Sequence, residues 1–229
     1  MAKKKESANQ PQPYNPLDKI KLGESVANAL LASPLLAFPP EPFEGAGVYA
    51  IYYTGAFEPY RPISIANEDG NAGCPIYIGK AVPRGARKGH LDLDSGVGDS
   101  LYQRLREHAE SVDQVELGRL NFRCKYLVVD DIWIPLGESL MIKRYRPLWN
   151  VLLDGFGNHD PGGRRLTAIT SRWDTVHPGR PWVAKRHLQP NPKSRVVWLN
   201  EIETYLRTGQ SSDLVMEDAV GYSSDGDLE

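Results

Sequence analysis

The 229-residue chain is 41% hydrophobic and 24% charged, ordinary values for a globular protein able to bury its own core. Glycine and proline together make 39 residues, well above the ~12% expected of an average chain, which argues against a helical bundle or a coiled coil. The two cysteines, Cys74 and Cys124, are too few for a disulfide scaffold or a zinc site, and are read as reduced core thiols of a cytoplasmic protein; no apolar run reaches the ~20 residues of a membrane span.

Residues 1–16 are polar and proline-rich and are expected to form an arm without an apolar leader core. Gly23 to Ala32 reads as a short helix closed by Pro34, and Pro39, Pro40 and Pro42 as a stiff connector. Gly47 to Tyr53 is rich in aromatic and β-branched residues and predicts a strand. Residues 54–73 read as loop, Pro75 to Lys80 as a second strand, and 83–99 again as loop. Asp99 or Ser100 can cap a helix running to about Val112, with Leu101, Leu105, His108 and Val112 on the 3.6-residue period. Phe122 to Val129 predicts a third strand, followed by a helix from about Leu136 to Arg146 that Pro147 stops. After Asn150 comes the glycine-rich stretch GFGNHDPGG, read as a flexible loop. One more helix is expected near Val197 to Arg207, ended by Gly209.

Charge is unevenly placed. Residues 210–229 hold six acids and no base, and are expected to form a disordered tail; without those six the total of −2 becomes +4. Residues 161–207 hold nine Arg or Lys against three acids. A polyanionic partner is therefore compatible with the acidic total. Trp173, Trp182 and Trp198 lie between those bases and are read as packing residues, with the arginines as phosphate contacts.

The expected architecture is α+β, with a few-stranded, mainly antiparallel sheet flanked by helices, long loops and terminal extensions. The chain divides into an N-terminal arm and helix (1–42), a core (43–160) with an insertion (54–73), a basic extension for DNA contact or dimer packing (161–209) and the tail.

Several polar and aromatic residues fall at telling places in this frame. Tyr49 lies in the first strand and Tyr77 in the second. Arg104 and His108 share one face of a helix, one turn apart. Glu138 is placed at the start of the next helix, where the macrodipole favours a carboxylate, and Asn150 follows Pro147 by three. Taken singly, each has an ordinary structural explanation. Their order is informative: Gly47-Val48-Tyr49, Tyr77-Ile78-Gly79-Lys80, Arg104 with His108, Glu138, then Pro147 and Asn150 resemble the GIY-YIG nuclease superfamily over residues 45–151. Val48 stands for the eponymous isoleucine, and 27 residues separate the two tyrosines, a longer spacing than is usual there. That insertion, with a histidine one turn after the arginine, is most similar to the type II restriction endonuclease branch, and within it to enzymes that cut the palindrome CCGCGG.

The resemblance implies hydrolysis of DNA phosphodiester bonds. Tyr49 would be the general base, Tyr77 would orient water or phosphate, Arg104 would hold the scissile phosphate, and His108 would relay the proton. Asn150 would hold a tyrosine or the phosphate. Glu138 would bind a single Mg²⁺, with Mn²⁺ as substitute, and Lys80 could add charge. Because a free tyrosine is ionised about one part in a thousand at neutral pH, the site must lower that pKa or move the proton in concert. Implied partners are double-stranded DNA, a second copy of the chain in a homodimer, and a cognate DNA methyltransferase as genetic partner, with no membrane. Alternatives are a structure-selective repair or recombination nuclease, and an inactive DNA-binding module.

Overall fold

A computed structural model describes residues 18–83, 98–160 and 168–209. The expected arm (1–16), most of the 83–99 loop and the acidic tail lie outside them.

Four strands, β1 (Leu36–Ala37), β2 (Gly47–Tyr53), β3 (Pro75–Ala81) and β4 (Phe122–Val128), form one antiparallel sheet in the order β1-β4-β2-β3. The helices are α1 (Lys19–Ala32), α2 (Arg61–Ala66), α3 (Ser100–Asp113), α4 (Ile134–Tyr145), α5 (Leu148–Val151), α6 (Arg172–Val176), α7 (Pro181–Lys185) and α8 (Arg195–Thr208). The α+β reading holds.

Every residue of β2 is buried, because helices cover both faces of the sheet; that is why GVYAIYY reads as a continuous apolar run with no alternation. Val48, Ala50 and Tyr52 pack on one face, with α1 and α4. Tyr49, Ile51 and Tyr53 belong to a larger core on the other, with Leu101 and Leu105 of α3 and Trp149 of α5. α1 begins one turn earlier than the glycine in its sequence suggests, because Asp18 caps it by accepting from the Ile20 amide at 2.8 Å. It crosses α4 closely: a Cβ at Gly137 would stand 2.5 Å from the Val26 side chain.

One sequence expectation changes, and the packing adds detail to two others. Residues 54–73 are not a plain loop: they hold a 3₁₀ turn (Glu58–Tyr60), α2 and a second 3₁₀ turn (Glu68–Gly70), with Tyr60, Ile63 and Asn67 buried. The larger core continues past residue 160. Trp173 and Val176 of α6, and Trp198, Ile202 and Tyr205 of α8, complete the same core as Tyr49 and Trp149. Sequence reading separated them because a run of bases looks solvated even when the apolar residues between the bases are buried. The N-terminal helix likewise belongs to the body, since α1 packs on α4 and on the sheet.

Candidate active site

β2 and β3 set the tyrosines. Their register places Tyr49 opposite Gly79 and Ile51 opposite Tyr77, so both rings emerge on the same face of the sheet. Tyr49 Oη lies above Gly79, where a Cβ would collide with it and would also stand 2.9 Å from Tyr77 Cε1. The glycine is there to let the tyrosine hydroxyl pass over β3. The ring centroids of Tyr49 and Tyr77 are 6.2 Å apart.

α3 supplies the next pair. Leu101, Leu105, Ala109 and Val112 bury its apolar stripe, and His108 sits on that stripe, 2% exposed. Its Nε2 is 2.6 Å from Tyr49 Oη. One turn earlier, Arg104 reaches the same space. Its guanidinium donates to Gly157 O at 2.9 Å, contacts Glu107 at 3.3 Å and bonds His159 Nε2; its charge also acts on Tyr49 and Tyr77.

The described part of the stretch read as a flexible loop, residues 155–160, lies on the other side of these side chains. Phe156 is buried and stacks on the His108 ring, with centroids 4.4 Å apart and planes 16° off parallel. A Cβ at Gly157 would stand 2.9 Å from Arg104 Nη2 and 3.1 Å from Tyr77 Oη. Phe156 and Gly157 were not singled out from sequence, and His159 was set aside as too far from His177 and His187 to share a metal; their only local signal was the glycine density of GFGNHD.

Glu138 is on α4, in its second turn and not at its start, so the macrodipole argument does not apply to it. Its carboxylate pairs with Lys80 Nζ at 2.7 Å, which gives Lys80 a definite place beside the candidate metal ligand. The charge of Glu138 is close enough to Tyr49 and Tyr77 to raise the pKa of both. Asn150, in the short α5, does not reach a tyrosine hydroxyl. Its Oδ1 accepts from Ile78 N at 2.8 Å and its Nδ2 donates to Ile78 O at 2.7 Å. It holds the backbone of β3 beside Tyr77, and its amide is occupied in doing so.

Burial dominates the protonation of the site. It pushes Tyr49 well above its ordinary pKa, helped by Tyr77 and opposed by the charge of Arg104. Tyr77 is raised for the same first reason, again opposed by Arg104. Burial depresses His108 well below its ordinary pKa, and Arg104, His159 and Arg180 add to that. For Arg104 burial acts downward, but the two tyrosines outweigh it and keep the pKa raised. The resting pair is therefore a neutral phenol beside a neutral imidazole. The same burial disfavours a preformed phenolate at Tyr49.

Among the described residues no three His, Cys, Asp or Glu side chains cluster to cage a metal. A lone carboxylate fits Mg²⁺ nonetheless, since that ion keeps several waters and takes one or two carboxylates together with substrate phosphate oxygens. Also among the described residues, no helix is long and apolar enough to cross a membrane. A search of curated proteins finds no match. A family model, the Eco29kI GIY-YIG domain, matches residues 41–206, most of the chain and well past the stretch that carries the motifs. The match takes in the insertion, the glycine-rich stretch and helices α6 to α8 as well as both tyrosines. The chain belongs to the Eco29kI GIY-YIG family of restriction endonuclease domains.

Proposed function

We propose that the protein is a Mg²⁺-dependent type II restriction endonuclease that hydrolyses double-stranded DNA at a palindrome, acting as a homodimer. The observation that carries this reading is the 2.6 Å contact between Tyr49 Oη and His108 Nε2, on the helix that also presents Arg104 one turn earlier. A neutral imidazole accepts at one ring nitrogen, so Tyr49 can release its proton to His108 as it takes one from water. The hydroxide so formed bonds to phosphorus and the bond to the 3′ oxygen breaks, that oxygen leaving as an alkoxide that takes a proton from solvent water to become the 3′ hydroxyl. Arg104 holds the scissile phosphate through its planar fork. The arriving phosphate also offsets the positive charge that depresses His108, and makes it a better proton acceptor when substrate is bound. Tyr77 orients the water or a phosphate oxygen. Glu138 is the residue that would hold Mg²⁺, which when bound supplies neutralising charge at the departing oxygen. Lys80 releases the Glu138 carboxylate for that purpose and is left beside the phosphate.

One site per chain cuts one strand, and a palindrome has two-fold symmetry, so a C₂ dimer is the simplest enzyme for a double-strand break. A GC-rich site suits arginine readers of guanine in the major groove. A cytosine methyltransferase encoded beside the gene would protect the host's own sites.

Digestion of phage and plasmid DNA with Mg²⁺ tests the proposal. Discrete fragments at one sequence support it, and smearing, junction-only cutting or intact DNA overturns it. Sedimentation with a cognate duplex tests the dimer: a single protomer that cuts both strands without a nicked stage would refute it.

A further inference from the structure

Arg180 belongs to the basic stretch after residue 160, which reads from sequence as phosphate-binding. In the structure it is 2% exposed, and its partner Asp174 is 4% exposed. Its Nε and Nη2 each donate to Asp174 at 2.6 Å. Nη2 donates to Gly155 O at 2.9 Å, and Nη1 donates to Phe156 O and Asn158 O at 3.1 Å each. All five N–H donors of a guanidinium are thereby used. The guanidinium also lies 4.7 Å from the ring centroid of Trp173. Ser171 Oγ donates to the second oxygen of Asp174 at 2.6 Å, which orients the carboxylate.

The loop carbonyls divide between two arginines. Those of Gly155, Phe156 and Asn158 face Arg180, while that of Gly157 faces Arg104. Gly155 is at φ +104, where a Cβ would run into Ser171, so the turn requires glycine there. Phe156, held in this turn, is the ring stacked on His108.

We propose that Arg180, clamped by Asp174, is a positioning residue of the nuclease site: it shapes the Gly155–Asn158 turn, and through Phe156 and Gly157 it fixes where His108 and Arg104 stand. It touches no reacting atom. This inference rests on the nuclease reading of Tyr49, His108 and Arg104, and extends it to a residue two shells of packing away.

Arg180→Lys is the informative variant. A lysine keeps the charge and can pair with Asp174, but three donors at one point cannot reproduce a five-donor fork. The approach from the other side is Gly157→Ala, whose backbone is unstrained and whose Cβ presses only on Arg104 and Tyr77. Both proteins should cleave ~10–100-fold more slowly in single turnover, the scale of a misplaced catalytic group, with DNA binding in Ca²⁺ changed far less than the rate. A second readout needs no substrate. In an NMR titration, His108 of Arg180→Lys should ionise at higher pH than in the wild type, because a loosened Phe156 stack admits water. The groups facing His108 are Tyr49 from β2, Tyr77 from β3, Arg104 from α3, and His159 and Arg180 beyond the turn; Arg180→Lys leaves their formal charges intact.

Wild-type cleavage and an unmoved His108 titration in Arg180→Lys would overturn the proposal. So would a rate that falls only in step with lost stability in Arg180→Lys while Gly157→Ala cuts at full speed. If the wild type cuts no DNA but the His108 titration still moves in Arg180→Lys, the nuclease reading fails and the positioning role of Arg180 stands.

Discussion

Asn150 closes both ends of its carboxamide on one residue of β3, accepting from Ile78 N and donating to Ile78 O. β3 is an edge strand of the sheet, and Ile78 faces Ala50 of β2 on its inner side. Asn150 thus does for one residue what a neighbouring strand would do for several. The residue before Ile78 is Tyr77, so the clamp fixes the strand at the point where the site tyrosine leaves it.

Asn150→Asp keeps the acceptor and replaces the donor with a second carboxylate oxygen facing Ile78 O. The lost bond and the unpaired buried groups should cost ~1–3 kcal/mol, a fall of roughly 2–12 °C in Tm for a domain of this size. Cleavage should slow as well, because Tyr77 loses its fixed backbone. Differential scanning calorimetry beside single-turnover cleavage decides it. Unchanged values in both would make the clamp incidental.

Tyr49→Phe keeps the ring against Tyr77 and His108 and removes only the hydroxyl. General-base assistance contributes ~10²–10⁴-fold, and the rate should fall by that much. Stability should drop by about 1–3 kcal/mol, since His108 Nε2 is left buried with its acceptor unmatched. If Tyr49→Phe cuts at full rate while Tyr77→Phe does not, the two tyrosines exchange roles.

The site was legible from sequence to the extent that its residues sit in short segments whose register is local. Tyr49, Tyr77, Arg104 and His108 were found on a β-rich run, a second such run and a 3.6-residue helical stripe, and the structure gathers those four. What was not legible depends on where distant segments meet. Nothing local separates Arg180, with every donor spent inside the core, from Arg186, whose partner Asp160 is at the surface. Asn150 could be placed near the motif, but its choice of Ile78 over a tyrosine hydroxyl is a matter of one strand edge passing one short helix. The protonation of the pair was open for the same reason: burial decides it, and burial is a property of the assembled core. Residues 54–73 misled because Pro62 sits in the first turn of α2, where a proline is tolerated, while the glycines and Pro59 lie outside that helix.

Glu138→Gln removes the negative charge that pairs with Lys80 and leaves an amide of the same shape. A half-exposed pair of this kind contributes only ~0–1 kcal/mol, so Tm should hardly move. DNA should still bind, with equal or higher affinity for want of a carboxylate near phosphate, while Mg²⁺-supported cleavage disappears. In the wild type Mg²⁺ and Mn²⁺ should both support cutting, Ca²⁺ should permit binding with little hydrolysis, and EDTA should abolish turnover. Near-normal cutting by Glu138→Gln, or cutting in excess EDTA, would detach the metal from this residue.

Two buried tyrosine–histidine pairs make the fold sensitive to mild acid. Beside Tyr49 and His108, Tyr60 Oη lies 2.6 Å from His177 Nε2 and accepts from Trp149 Nε1 at 3.0 Å, so its own proton points at the imidazole. Burial lowers His177 to about 3, and lowers His108 in the same direction. A histidine held neutral in the folded protein contributes its full stability above its unfolded pKa of ~6.5, and loses it as pH falls toward the folded pKa, because the unfolded chain takes up the proton first. Each such group costs about 1.4 kcal/mol per pH unit in that window. His177 alone should remove ~2 kcal/mol between pH 6.5 and 5, before most carboxylates begin to titrate, and His108 acts in the same direction. For a domain of this size the His177 share is a fall in Tm of roughly 4–8 °C. His177→Gln can still accept from Tyr60 but takes up no proton, and should reduce the slope by its share. Thermal unfolding followed from pH 7.5 to 5 gives the answer directly: a flat Tm in the wild type, or the same slope in His177→Gln, would mean that these imidazoles are not held neutral by the core.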